Sequence, residues 1–77
     1  MNYQMPIKII IKTLLEEMDI TFKAVLRESV TAQFSSELKE VWGKQRENVA
    51  KLDSYELIDD YLRYFRGLDL QEWIDSL

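Results

Sequence analysis

Seventy-seven residues, 47% hydrophobic and 31% charged, describe one folded domain (residues 1–77) with a small core, since a chain this short buries only about 60–65% of the surface it exposes when unfolded. Cysteine and histidine are both absent, which excludes disulfides, the usual zinc sites and every nucleophile activated by histidine. The net charge of −4 is carried by the last third: residues 52–77 hold seven acids against two bases, net −5, while residues 1–51 net +1.

Pro6 suits the start of a helix, because the N–H it lacks has no partner in a first turn. Ile7, Ile10, Ile11, Leu14, Leu15 and Met18 then follow at helical spacing and form one apolar stripe. A competing pattern exists, since Tyr3, Met5, Ile7, Ile9 and Ile11 alternate as in a strand. Pro6 would confine such a strand to a sheet edge, and the chain offers no second strand to pair with it. A helix from about residue 6 is expected, with Met5 and Ile9 as a small exposed apolar spot. Asp19 and Thr21 are expected to break this helix and cap the next. Phe22, Val25, Leu26 and Ser29 line one face of that short helix, with Val30 at its edge.

Ser35 or Ser36 is the expected cap of a third helix, in which Leu38, Trp42, Val49 and Leu52 share a face and Gln45 fills its one polar place. Gly43 costs such a helix about 1 kcal/mol relative to alanine, or ends it. Asp53 and Glu56 read as a variant capping box for a further helix, whose apolar half is Tyr55, Leu57, Ile58, Tyr61, Leu62, Tyr64 and Phe65. Leu57 and Tyr64 lie at the margin of that arc, which is wider than one packing neighbour requires. Gly67 supplies a left-handed stop. Asp69 and Glu72 cap a last helix bearing Leu70, Trp73, Ile74 and Leu77, too short to persist undocked. Taken together the elements predict an all-α fold, a compact bundle of four or five short helices.

Residues 11–23, IKTLLEEMDITFK, resemble the opening of the helix-turn-helix of phage repressors: an apolar first helix, then an Ile20-Thr21 entry into a second helix holding Lys23. The resemblance implies a dimeric helix-turn-helix transcription regulator. The sequence departs from that pattern at Leu26, where a small residue is usual, and after Ser29, where a glycine is. The segment in the place of the recognition helix, residues 31–40, holds one lysine against two glutamates. Reading DNA needs donors for phosphates and guanine edges, so direct nucleic-acid binding is not expected.

Catalytic groupings are sparse. Asp59 and Asp60, with Glu56 one turn back, could hold Mg²⁺ or act as acid and base. No glycine-rich phosphate loop accompanies them, however, and Asp59 stands four residues before Arg63, the favourable order for a helical ion pair. Glu16-Glu17 reads as helix surface and Ser35-Ser36 as capping. Neither an enzyme nor a cofactor or metal site is expected. The expected function is that of a small regulator binding another protein, one with a basic or apolar surface, through Asp59, Asp60, Asp69, Glu72 and Asp75 with Trp73 as aromatic anchor. Docking in the core is the other reading of Trp73, and the one its place on the stripe favours. An inhibitor filling the basic groove of a nucleic-acid-binding target, as small phage-encoded anti-defence proteins do, is the sharper form of this reading. A homodimer is expected from the small core and the wide apolar arc. With no apolar run approaching the ~20 residues of a membrane span and no signal-peptide pattern, a cytoplasmic location is expected.

Overall fold

A computed structural model describes residues 4–28 and 31–77 as four α-helices, α1 (Ile7–Arg27), α2 (Ala32–Ala50), α3 (Tyr55–Arg66) and α4 (Leu70–Asp75), with no strand among the described residues. The all-α bundle expected from the periodicity is present, but two of its helices are long. Tyr3, Ser29 and Val30 lie outside the described residues.

Pro6 is the N-cap of α1, and its carbonyl accepts from the N–H groups of Ile9 and Ile10, both at 3.0 Å. The helix then runs 21 residues without interruption, so Asp19 and Thr21 do not break it. The reason is visible at each residue. Thr21 Oγ1 donates to the Glu17 carbonyl at 3.0 Å, a back-bond within the helix. The Asp19 carboxylate is turned outward onto α2 and does not compete for its own backbone. The continuous helix also removes the turn that a helix-turn-helix would need within residues 11–23.

α2 folds back along α1. Its N-cap is Thr31, whose Oγ1 accepts from the Phe34 N–H at 3.1 Å; Ser35 sits inside the first turn and donates its hydroxyl to the Thr31 carbonyl. The expected serine cap is therefore displaced to the threonine four residues earlier. α2 also passes straight through Gly43.

α3 begins one residue later than the capping-box reading placed it. Ser54, not Asp53, is the cap and accepts from the Leu57 N–H at 3.2 Å. The Tyr55 hydroxyl donates to the Met5 carbonyl at 3.0 Å, and eleven residues on Arg66 reaches Glu17 at 3.1 Å. α3 therefore lies beside the first half of α1 and runs in the same direction. Met5 is half-buried against the core, so of the expected exposed spot only Ile9 remains. Gly67 ends α3 in the left-handed conformation (φ 69°), and Asp69 and Glu72 form the capping box of α4, as read from the sequence.

The core is built at one end. Its buried residues are Ile10, Leu14 and Met18 of α1, Val49 of α2, Ile58 and Leu62 of α3, and Leu70 and Trp73 of α4. Among the described residues between Met18 and Val49, none is buried. The far half of the α1–α2 hairpin therefore projects past α3 and α4, and the molecule is elongated, 45 × 22 × 20 Å.

Replacing Gly43 tests how α2 is held. A Cβ there meets open space, so Gly43→Ala should stabilise the protein by about 1 kcal/mol through helix propensity alone. A rise of several degrees in thermal midpoint is expected; an unchanged or lower midpoint would mean that α2 is not a regular helix at this position.

Candidate interaction surface

The six residues that the sequence groups as a protein-binding face do not share one role. Trp73 is 1% exposed, and its indole Nε1 donates to Glu17 Oε1 at 2.8 Å. It is core, and cannot be the exposed anchor of an interface. The same Glu17 oxygen accepts from Arg66 Nη1, so one carboxylate ties both α4 and α3 to α1. Asp59 is also withdrawn from the surface, its side chain only 17% exposed. It pairs with Arg63 Nε at 2.9 Å, as the i,i+4 spacing predicts, and its other oxygen accepts from the Leu70 N–H at 2.8 Å. That second bond joins α3 to the start of α4, so the residue fixes a corner. Asp69 is occupied as N-cap, accepting from the Glu72 N–H at 2.8 Å, while Glu72 Oε1 accepts from the Asp69 N–H.

Asp60, Glu72 and Asp75 remain exposed. Asp75 accepts a local bond from Gln71 Nε2 at 2.9 Å. Both bases of residues 52–77 are spent on Asp59 and Glu17, so neither neutralises these outer acids.

A second polar arrangement was not legible in the sequence. Asp19 Oδ1 accepts from Trp42 Nε1 at 2.8 Å and from the Arg46 guanidinium, linking α1 to α2. These two bonds, first the one from Arg46 and then the one from Trp42, hold the Asp19 carboxyl below its usual range. Phe22 stacks on the Trp42 ring, centroids 5.9 Å apart and planes within 7°. The arrangement is a structural clasp between α1 and α2.

A further surface feature is a largely apolar groove. α3 covers the crease between α1 and α2 only over the buried end. Where α3 stops, the crease opens as a groove of about 420 Å³ lined by Met18, Thr21 and Phe22 of α1, Val41 and Gln45 of α2, Tyr61 and Phe65 of α3, and the paired Glu17 and Arg66. Partial burial of Tyr61 pushes its hydroxyl pKa up, with Arg66 opposing. The Phe65 ring packs against Tyr61 (4.8 Å) and Tyr64 (4.7 Å). Leu57 and Tyr64, the margin residues of the α3 arc, are both exposed, Tyr64 at 82%. Phe34 stands seven residues before Val41 and so on the same stripe of α2; both are about half exposed. The spacing of Phe34, Val41 and Gln45 at i, i+7 and i+11 could have shown this stripe, but the stronger Leu38–Trp42–Val49 row beside it masks it.

Among the described residues no group of three or more carboxylates is placed to hold a metal, and no helix is long and apolar enough to cross a membrane. Set beside protein families, curated proteins and solved structures, the chain matches none of them.

Two substitutions check these assignments. Trp73→Ala should cost about 3–5 kcal/mol, enough to unfold most of so small a domain, and circular dichroism with thermal melting reads it directly. A Trp73→Ala protein with wild-type stability would place the indole outside the core. For Asp19 the sign follows from its lowered pKa. The carboxylate stabilises the fold above the ordinary value of 3.8, and that contribution is lost as pH falls through the lower folded value. Asp19→Asn should therefore melt lower than wild type at neutral pH, and the gap should narrow on acidification below about pH 4. A gap independent of pH would remove the charge from the account.

Proposed function

We propose that this chain is a small non-enzymatic protein that acts by binding another protein, one with a basic surface. The observation that carries the reading is the uncompensated charge of the α3–α4 end. Asp60, Glu72 and Asp75 are exposed there, and the segment's two arginines are already paired. An unneutralised acidic surface steers basic partners and raises their association rate, and it repels nucleic acid. The role assigned to Asp59 and Trp73 in the sequence reading passes to Asp60 and Asp75, since the first two are used inside the molecule. An inhibitor covering the basic groove of a nucleic-acid-binding target, in the manner of small phage-encoded anti-defence proteins, is the specific form this reading favours. A cytoplasmic site of action accords with it.

The test is affinity capture from the native host, with the captured partner then measured against wild type and the double variant Asp60→Lys, Asp75→Lys. Both positions are exposed, so the fold should persist. The variant should associate more slowly, by about tenfold at low salt, and with a weaker dependence on salt. A partner that binds both proteins at the same rate would remove the acidic end from the reading. Fluorescence anisotropy with duplex DNA should show no salt-sensitive binding by either protein.

A further inference from the structure

We infer that the open groove and the aromatic edge beside it form a homodimer interface, closed by the same face of a second copy of this chain. This goes beyond the partner reading and does not depend on it.

Self-complementarity is the first reason. A two-fold interface needs a projection and a recess on one patch, so that each copy fills the other. Here they are adjacent. Tyr64 and Phe65 project from the end of α3, and the groove between α1 and α2 opens next to them, walled by Val41. Phe34 continues the wall along α2, and Leu57 extends the projecting edge along α3.

Size is the second. The exposed parts of Val25, Phe34, Val41, Leu57, Tyr64 and Phe65 amount to roughly 600 Å² of mostly apolar surface, aromatics supplying the larger share. A stable dimer buries about 800 Å² per partner, about two-thirds of it apolar in homodimers. The patch is therefore the size of the apolar centre of such an interface, and it is at the upper end of what a monomer ordinarily leaves uncovered.

Polar chemistry is the third. Gln45 Oε1, at the groove, is buried and accepts no hydrogen bond. The Tyr64 hydroxyl is a donor on the same face and finds no acceptor among the described residues. When the partner's aromatic edge enters the groove, rotation of the Gln45 amide lets the two satisfy each other.

Sedimentation equilibrium and photo-crosslinking test this with the full chain. Wild type should be dimeric at high micromolar concentration. Val41→Glu, at an exposed helical position, should weaken the dimer by at least about tenfold while circular dichroism keeps its helical shape. Phe65→Glu should do the same, and serves where Val41→Glu fails to fold. Ile20→Glu, at a more exposed position on the opposite face of α1, should leave the dimer intact. A benzophenone amino acid at position 64 should crosslink to residues 34–45 of the second copy. A wild-type monomer at all concentrations overturns the inference. So does a dimer indifferent to both groove variants, or one dissociated by Ile20→Glu.

Discussion

A buried indole must place its N–H, and in this chain Trp73 places it on Glu17. α4 is six residues long and has no stability of its own, so it exists only where Trp73 and Leu70 are buried. That docking point on α1 dictates the path of everything before it. Gly67 must turn the chain, Asp59 must receive the Leu70 N–H at the corner, and Arg66 must come within reach of the same Glu17 oxygen. α3 is thereby laid along the first half of α1. The two bonds at Glu17 connect residues 49 and 56 apart in sequence, so they hold the fold together rather than any single helix.

The same constraint explains the uneven core. A twelve-residue α3 spans about 18 Å, while α1 is 21 residues long and spans about 31 Å. Once α3 starts at Met5 it must run out near Glu17, and among the described elements only α2 remains to cover the second half of α1. That half is held to α2 by the Asp19 clasp and the Phe22–Trp42 stack, which are polar or partly exposed contacts. A groove at the end of α3 is the geometric consequence, and a second copy is the occupant we propose for it.

Local rules carried much of the fold. Pro6 opening α1, Gly67 closing α3 and the Asp69–Glu72 box are signals contained within a few residues, and the structure places each where those signals stand. The failures share a cause. Asp19, Thr21 and Asp53 all have cap-forming side chains, and a local reading gives each a cap. Asp19 is instead claimed by Trp42 and Arg46, 23 and 27 residues away, and Ser54, whose hydroxyl accepts from the Leu57 N–H, takes the cap in place of Asp53. Trp73 and Asp59 were legible as important but not in role, since burial depends on where α4 docks and no periodicity records that. The groove was half legible: the wide α3 arc announced an excess of apolar surface, but its counterpart on α2, Phe34 and Val41, was masked by the Leu38–Trp42–Val49 row beside it.

Hydrogen exchange measured by mass spectrometry at two protein concentrations tests the account most directly. Amides of residues 10–18 and 58–62, over the shared core, should exchange slowest at both. Those of residues 20–27 and 34–45 should exchange faster in dilute solution and become protected as concentration rises and the groove closes. Protection that is even along α1 and α2, and unchanged by concentration, would contradict both the one-ended core and the closing of its open face by a second copy.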